Sequence, residues 1–323
     1  MTLTQLSYIV AVDKYKNFGQ AAESCSVTQP TLSMQVQKIE DELGVLIFDR
    51  SHQPVKTTKI GQALVAQARI VLSESHHFSD LVKQSSGEVA GQVSLGVIPT
   101  LAPYLLPLFI KKMSTQFPDL NILVEELQTE QIIERIHNST LDLGLLVTPI
   151  DDEKIVVNQL FYEPFMVYTS EENSLYQKTK VTQQDLNSND LWLLTEGHCF
   201  RDQSLLICKN RKKTSDIKKN IKFESGSLET LRRMMDQENG FTLLPYLATL
   251  DLQNKKQLKE FSAPVPAREV SLVHSTHFKR TAVIDAFTEV IKKSLPKNIS
   301  LTPNKNTQVI DLPLGQSKQN RLF

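Results

Sequence analysis

The chain has 323 residues, of which 40% are hydrophobic and 22% are charged, as expected for a soluble globular protein of two or three domains. Lysine plus arginine and aspartate plus glutamate both total 36, so the net charge neither indicates nor excludes a nucleic-acid partner. No apolar run reaches the roughly 20 residues that span a bilayer, and the N-terminus lacks the basic region of a signal peptide. Three cysteines are too few for a secreted disulfide scaffold. These properties predict a cytoplasmic protein with no membrane partner.

Changes in composition divide the sequence into four regions. Residues 1–58 contain short helical patterns joined by tight turns, and residues 59–87 form one long predicted helix. Residues 88–297 alternate short apolar runs with amphipathic helices, which is typical of an α/β domain with a largely parallel sheet. Residues 298–323 are polar and aperiodic, so we predict a loosely held tail, with a strand over 308–312 as the alternative.

The apolar runs of the α/β region predict its strands. They are Gln92–Ile98, Asn121–Glu125, Leu143–Val147, Glu163–Tyr168, Leu191–Leu194 and Glu269–His274. Between the first two runs, residues 99–116 carry the apolar face of a helix, and a shorter helix precedes the third run.

The N-terminal region contains two predicted helices joined by a tight turn. The second of this pair starts at the N-cap Thr28, has Pro30 in its first turn and ends at Gly44. Four apolar residues share one face of it and should be buried: Leu32, Val36, Ile39 and Leu43. The opposite side presents the polar residues Gln29, Thr31, Ser33, Gln37 and Lys38 together with Met34. This is the outline of a helix-turn-helix with a recognition helix.

Two short strands around residues 51–54 complete a wing, from which Arg50 can reach the DNA backbone or the minor groove. The alternative to DNA binding is a small helical bundle with exposed polar side chains. Residues 1–58 carry five basic and six acidic side chains, a net charge of −1, so the usual positive footprint is missing. The pattern alone leaves both interpretations open.

A family resemblance favours DNA binding. The stretches LTQLSYIVAV, NFGQAAESCSVTQPTLSMQVQKIEDELGVLIFDR and TTKIG, within residues 3–61, resemble the winged helix-turn-helix of LysR-type regulators. The resemblance implies that five residues approach double-stranded DNA: Gln29, Pro30, Thr31, Ser33 and Arg50. Many family members have Arg, Gln or Gly where this chain has Met34.

The long helix carries an apolar seam suited to dimerisation. Its members are Ile60, Leu64, Ala68, Val71, Phe78 and Val82, with Ser75 as a polar interruption. The alternative is a helix packed on its own domain. The family resemblance implies that this helix dimerises, that the operator is pseudo-palindromic, and that the chain forms a homodimer or homotetramer.

Two cysteines, Cys199 and Cys208, are nine residues apart in GHCFRDQSLLICKNRKK. On one continuous helix this spacing gives about 13.5 Å of rise and opposite directions, so a disulfide requires that the segment is not one helix or that it unwinds. The flanking His198 and Arg201, and the basic residues that follow Cys208, should lower the thiol pKa values. The alternative is two unrelated cysteines. A metal site is not expected, since we find no fourth ligand beside His198 and the two thiols.

A second resemblance concerns this segment. EGHCFRDQ with a Cys nine residues on is similar to the hydrogen-peroxide-sensing OxyR subgroup of LysR-type regulators, as are GVIPTLAPYLLP at 96–107 and ESGSLETLRRMM at 224–235. It implies that Cys199 reacts with peroxide and pairs with Cys208. The peroxide pocket that it implies contains Thr100, Thr129, His198, Asp202 and Arg268. Thr100 and Arg268 would polarise the peroxide, and Asp202 would help to hold the reduced loop.

The sequence pattern together with these resemblances implies a winged helix-turn-helix domain (1–58), a dimerising helix (59–87), a two-lobed periplasmic-binding-protein-like regulatory domain (88–297) and a tail (298–323). Lobe I comprises about 88–161 and 267–297, and lobe II about 162–266. The predicted function is transcription regulation switched by a Cys199–Cys208 disulfide, with RNA polymerase as a partner and without a cofactor. The alternatives are a LysR-type sensor of a metabolite in the interlobe cleft and, in a different class, a thiol peroxidase. We expect no enzyme, because a peroxidase has no use for a helix-turn-helix.

Overall fold

The computed structural model describes residues 1–84, 89–187, 190–208, 225–252, 254–303 and 305–311. The chain divides into two compact units, residues 1–88 with 134–141 and residues 89–133 with 142–323. In the part of the chain that is described, no helix is both long and apolar enough to cross a bilayer.

The N-terminal unit is a winged helix-turn-helix followed by a long helix. Its elements are α1 (Leu3–Tyr15), α2 (Phe18–Ser24), α3 (Gln29–Leu43), β1 (Phe48–Asp49), β2 (Lys56–Thr57) and α4 (Lys59–Gln84). Thr28 is the N-cap of α3, Pro30 lies in its first turn, and Gly44 ends it in the left-handed conformation at φ 68°. The antiparallel pair β1–β2 forms the wing. The predicted recognition helix and wing are therefore confirmed.

The core of this unit lies on the predicted face of α3, with one exception. Leu32, Val36 and Ile39 are fully buried, but Leu43 is 41% exposed, so its predicted burial is wrong. Leu43 lies in the last turn of α3, beside the Gly44 cap at which the chain leaves the helix axis. Burial of a helix face therefore stops one turn before the helix ends.

The apolar seam of α4 is divided between two environments. Ala68 is buried and Leu64 is half-buried, and both pack in the core of their own unit. Ile60, Val71 and Phe78 are exposed, Phe78 by 76%. The side chain of Val82 lies outside the described residues. One part of the seam thus packs on its own domain, and dimerisation through the exposed part stays a prediction.

The second unit is built on a mixed sheet. Its helices are α5 (Ala102–Gln116), α6 (Thr129–His137, of which residues 134–137 group with the first unit), α7 (Cys199–Ile207), α8 (Leu228–Met235) and α9 (Thr281–Ser294). Its strands are β3 (Gly91–Val97), β4 (Leu120–Glu126), β5 (Leu143–Thr148), β6 (Ile155–Thr169), β7 (Lys180–Val181), β8 (Phe241–Pro245), β9 (Leu258–Phe261), β10 (Val265–Ser275) and β11 (Thr307–Val309). Single 3₁₀ turns cover Ser174–Gln177, Gln183–Asp185 and Tyr246–Thr249.

The two long strands β6 and β10 join two halves of the sheet. The strand order is β4-β3-β5-β10-β6-β9-β7, with β8 also on β6 and β11 also on β10. β3 runs parallel to β4 and β5, whereas β10 is antiparallel to β5 and β6. The prediction of a largely parallel sheet is therefore wrong beyond β5, because two strands that return through the sheet reverse its direction. Arg268 and Glu163 face each other where β10 and β6 pass between the halves.

Most predicted strands are present, but their extents differ. The run Glu163–Tyr168 is the second half of the much longer β6. The predicted strand Leu191–Leu194 is wrong, since Leu191 makes only an isolated bridge to Phe241. Leu191, Trp192 and Leu194 are nevertheless buried in the core around α7. Their apolar pattern reflects burial of a loop rather than pairing in a ladder.

In the described part of the C-terminal region the chain forms the strand that was the alternative to a loosely held tail, at Thr307–Val309 rather than over 308–312. β11 pairs in parallel with Val265–Ala267, at an end of β10 that β5 does not cover. Ile310 is 6% exposed and packs in the core that contains α7. The side-chain amide of Gln203 on α7 donates to the Ile310 carbonyl oxygen at 2.9 Å. An open strand edge and a small apolar patch thus fix a segment whose composition is mainly polar.

Replacement of Ile310 by alanine tests the docking of this segment. Because the side chain is buried, Ile310→Ala should lower the free energy of unfolding by about 2–4 kcal/mol. The matched control is Leu301→Ala, which removes a side chain that is 44% exposed in the same region and should change it by less than about 1 kcal/mol. Urea denaturation of the reduced protein measures both. Equal, small effects would show that the segment is not docked in solution.

Candidate functional site

The two cysteines lie at opposite ends of one helix. Cys199 is the first residue of α7, with His198 as its N-cap, and Cys208 is the C-cap. Gly197 precedes the N-cap with φ +91°, a conformation that side-chain-bearing residues rarely adopt. Both cysteines are free thiols. Of the two possibilities left open by the spacing, the continuous helix is present, so a disulfide between these residues requires α7 to unwind.

Cys199 is half-buried, and its thiol is hydrogen bonded to Thr129. Burial is the largest influence on its pKa and raises it, while the Arg268 charge and hydrogen bonds from the Thr129 side chain and the Phe200 amide lower it. The net direction is upward. The expectation of a lowered thiol pKa is therefore wrong for the reduced pocket, because desolvation of a thiolate outweighs the nearby cation.

Arg268 connects the strands to the loop before α5. Its side chain is fully buried, and its Nη1 donates to Thr100 Oγ1 at 2.9 Å and its Nη2 to the Thr100 carbonyl oxygen at 3.1 Å. The guanidinium lies over the Phe200 ring, 5.4 Å from its centroid, in the first turn of α7. Of the residues that the resemblance implied for the pocket, Thr129 and Arg268 act on the Cys199 pKa, and Thr100 is joined to the site through Arg268.

The partner of this arginine was not predicted from the sequence. Glu163 is fully buried, and its Oε2 accepts hydrogen bonds from Arg268 Nε at 2.9 Å and Nη2 at 2.7 Å. Its Oε1 accepts the backbone N–H of Leu247 at 2.8 Å. A glutamate at the head of a predicted apolar strand was the available signal. Pairing it with Arg268 required the register of β6 on β10.

The residues that flank Cys199 contribute less positive charge than expected. His198 is buried, and burial lowers its pKa despite an opposite influence of Glu126. Its imidazole is therefore neutral at pH 7. Arg201 donates from Nη1 to the Leu194 carbonyl oxygen at 2.6 Å. Asp202 lies in the first turn of α7, where desolvation raises its pKa despite the opposing charge of Arg201, and its charge raises the Cys199 pKa.

Cys208 is a buried, unreactive thiol in this state. It is 2% exposed, and burial raises its pKa to about 12. It belongs to the same apolar core as Ile207 and Phe200. The basic residues Lys209, Arg211, Lys212 and Lys213, expected to activate it, lie outside the described residues.

The recognition helix presents its predicted polar side to solvent. Gln29, Pro30 and Thr31 are exposed, and Ser33 is half-buried. Thr31 Oγ1 is hydrogen bonded to the hydroxyl of the N-cap Thr28 at 2.8 Å. The exposed N-terminal turn of α3 is thus free to approach a base edge or a phosphate.

Arg50, in contrast, is already engaged within the unit. It donates to Glu40 Oε2 at 2.9 Å and to Ser33 Oγ at 3.0 Å, and its guanidinium lies over Phe18, 4.7 Å from the ring centroid. Glu40, which no sequence pattern indicated, is 4% exposed and also accepts the backbone N–H groups of Ile47 and Phe48. The network fixes the start of the wing against α3. The contact of Arg50 and Ser33 with DNA stays a prediction.

Family models and known proteins match both units. Residues 3–62 match the bacterial regulatory helix-turn-helix protein, lysR family, and residues 86–296 match the LysR substrate binding domain. The chain is 37% identical over 276 residues to the hydrogen peroxide-inducible genes activator of Haemophilus influenzae, covering 85% of this chain and 90% of that protein. It is 35% identical to the DNA-binding transcriptional dual regulator OxyR of Escherichia coli K12, covering 85% and 89%.

Solved structures show the same relationship. The full-length OxyR C199D structure from Pseudomonas aeruginosa is 36% identical with a TM-score of 0.75, covering 90% of this chain and 98% of that one. An H2O2-bound OxyR mutant from Corynebacterium glutamicum is 26% identical with a TM-score of 0.60, covering 91% and 94%. The chain belongs to the LysR family of helix-turn-helix transcriptional regulators. Within that family, these four relatives are named either as a hydrogen peroxide-inducible genes activator or as OxyR.

The opposing influences on Cys199 can be separated by alkylation. Because burial raises its pKa, the pH at which iodoacetamide labelling of Cys199 reaches half its maximal rate should lie above that of a free cysteine. Arg268→Gln removes the lowering influence, so the midpoint should rise further and labelling at pH 7 should slow by about 10-fold. Arg233→Gln, an exposed residue of α8, is the charge control. An unchanged labelling rate in Arg268→Gln would contradict this electrostatic account.

Proposed function

We propose that this LysR-type protein is a sequence-specific DNA-binding regulator, switched when peroxide oxidises Cys199 and a disulfide forms with Cys208. The observation that carries the proposal is the placement of both free thiols at the two ends of α7. Arg268 and Thr129 act on Cys199, whereas Cys208 lies in an apolar core. This asymmetry supports a role for Cys199 in the reaction with peroxide and for Cys208 in its resolution.

The chemistry has two balanced steps. The Cys199 sulfur, as thiolate, attacks one peroxide oxygen, so that an S–O bond forms and the O–O bond breaks. The departing hydroxide takes up the proton that the thiol released, which gives a sulfenic acid and water. The Cys208 sulfur then attacks the Cys199 sulfur, an S–S bond forms, the S–O bond breaks, and a second water leaves. Each disulfide consumes one peroxide.

The pocket residues have defined roles in the first step. Arg268 and Thr100 would polarise the peroxide, since their polar groups are hydrogen bonded to each other beside the thiol. Thr129 would orient the sulfur through its hydrogen bond. His198 and Asp202 flank the thiol on α7, and Asp202 would help to hold the reduced helix.

Disulfide formation, the second step, would change the structure of the protein. α7 must unwind, and Cys208 must leave the core it shares with Ile207 and Phe200. A helix of nine residues is marginal in isolation and depends on that core for stability, so disulfide formation exchanges one local structure for another. We infer that this exchange changes the placement of the DNA-binding domains in a homodimer or homotetramer.

The partners follow from the N-terminal unit. Double-stranded DNA would meet the exposed first turn of α3 through Gln29, Pro30 and Thr31, with Ser33 and Arg50 at the wing side. The regulator would act in the cytoplasm on promoter operators and communicate with RNA polymerase. It needs no cofactor or metal, and it would not turn over peroxide as an enzyme.

Peptide-mass mapping of trapped thiols, before and after a few equivalents of hydrogen peroxide, tests the redox proposal. We expect a linked Cys199–Cys208 peptide within seconds, while Cys25 stays free, together with altered footprints on operator DNA. Free thiols at both positions after the same exposure would overturn the redox proposal and favour a metabolite sensor. Sustained consumption of many peroxide equivalents per chain, with a thiol reductant present, would instead indicate a peroxidase.

Substitution in the recognition helix tests the DNA interface. Gln29→Ala removes an exposed polar group at the start of α3 and should weaken specific operator binding by about 1–3 kcal/mol. Gln62→Ala, an exposed glutamine on α4, should leave binding unchanged. Titrations of labelled operator and of scrambled DNA at one salt concentration compare the variants. Equal affinities for Gln29→Ala and the unsubstituted protein would exclude Gln29 from the readout.

A further inference from the structure

Glu163 is a buried charge whose lone pairs are taken by three donors. Both partners of its ion pair with Arg268 have side chains that are at most 1% exposed. Two hydrogen bonds come from Arg268 and one from the Leu247 amide. A buried ion pair is tolerated only when its polar atoms are satisfied in this way, so the geometry of the guanidinium is strongly restrained.

The hydrogen bonds of Arg268 determine which of its N–H groups remains available to a ligand. The Nε hydrogen and one Nη2 hydrogen are used by Glu163. The second Nη2 hydrogen is used by the Thr100 carbonyl, and one Nη1 hydrogen by the Thr100 hydroxyl. Among the described residues, one Nη1 hydrogen therefore has no hydrogen-bond partner, since a guanidinium has five N–H donors.

We propose that Glu163 is a positioning residue for the peroxide reaction: it fixes the Arg268 guanidinium so that the remaining Nη1–H is directed to the peroxide oxygen at Cys199. The inference rests on the proposed function. Glu163 and Arg268 face each other across β6 and β10, so the carboxylate sets the position of the guanidinium from the sheet side. Thr100 sets it from the loop before α5, and the Phe200 ring lies against its face.

The negative charge of Glu163 has a second effect that can be measured. The positive charge of Arg268 lowers the pKa of Cys199, and the negative charge of Glu163 partly offsets that positive charge. Loss of the Glu163 charge should therefore lower the Cys199 pKa, while loss of its geometry should slow the reaction with peroxide. A residue with a merely structural role would not slow the reaction with peroxide while it lowered the Cys199 pKa.

The experiment uses the full-length reduced protein and two reagents. In Glu163→Gln, the second-order rate of Cys199 oxidation by hydrogen peroxide at pH 7 should fall by about 10- to 100-fold. Iodoacetamide labelling of Cys199 should be as fast as in the unsubstituted protein or faster, with its pH midpoint shifted downward. An unchanged peroxide rate, or an unchanged pH midpoint, would overturn the inference.

The matched control is Glu269→Gln. Glu269 is the next residue on β10 and is bonded to Tyr162 and Thr148, so the control removes a neighbouring charge that does not contact Arg268. Its peroxide and labelling rates should match those of the unsubstituted protein. A peroxide rate in Glu269→Gln as low as in Glu163→Gln would show a general charge effect and overturn the inference.

A double-mutant cycle tests whether Glu163 acts through Arg268. If it does, Glu163→Gln with Arg268→Gln should oxidise no more slowly than Arg268→Gln alone. Additive losses would overturn the inference. If Glu163→Gln does not fold, Glu163→Asp provides the test, since it keeps the negative charge but has a side chain too short to hold Arg268 in the same position. A reduced peroxide rate with normal labelling supports the inference, and a normal peroxide rate overturns it.

The oxidation of Cys199 by peroxide in the unsubstituted protein distinguishes a failure of this inference from a failure of the proposed function. If peroxide fails to oxidise its Cys199, the proposed function is wrong, and the inference falls with it. If Cys199 is oxidised normally in both the unsubstituted protein and Glu163→Gln, only the role of Glu163 is wrong.

Discussion

The helical geometry of α7 keeps Cys199 and Cys208 apart, because nine residues of α-helix separate their Cα atoms by about 13.5 Å. The reduced fold therefore satisfies backbone hydrogen bonds and apolar burial along this segment at the expense of any bond between the thiols. An S–S bond and an intact α7 exclude each other. Much of the surrounding structure, from the Cys208 core to the Gln203 contact with β11, depends on which of the two is present.

The environment of Cys199 combines a desolvated thiol with a buried cation, Arg268, whose charge is paired with Glu163. Desolvation raises the thiol pKa, and the Arg268 charge opposes it without overcoming it. Such a pocket limits reaction with general electrophiles, because little thiolate is present before a ligand enters. Donors placed for a peroxide would then provide selectivity through the transition state rather than through a permanently ionised sulfur.

The sequence was informative where the pattern is local. The helix start at Thr28, the turn at Gly44 and the wing follow from short-range preferences and are present, although the Thr28 side chain makes no capping hydrogen bond. The pocket residues Thr100 and Arg268 came from family likeness and lie together. Glu163 and Glu40 were missed, because each is defined by partners in distant strands or turns. A buried carboxylate has no periodicity that distinguishes it from a solvated one.

Long-range packing also explains the errors in the fold. The half of β6 before Glu163 and the strand β11 are hydrogen bonded to β10. They form strands because of this pairing, so their local sequence need not have a strong β-strand propensity. The Cys199 pKa was expected to follow the charges nearby in sequence. It instead follows desolvation, and the cation that lowers it, Arg268, is far away along the chain.

In the proposed mechanism, the burial of Cys208 separates the reaction of Cys199 with peroxide from disulfide formation in time. Peroxide can meet Cys199 while α7 is folded, but the resolving sulfur arrives only when the helix opens, which is an event within one chain. At high peroxide concentrations the second step cannot accelerate further, and local unfolding sets its pace. The sulfenic acid would therefore persist until α7 opens. Its lifetime would depend on the stability of this nine-residue helix.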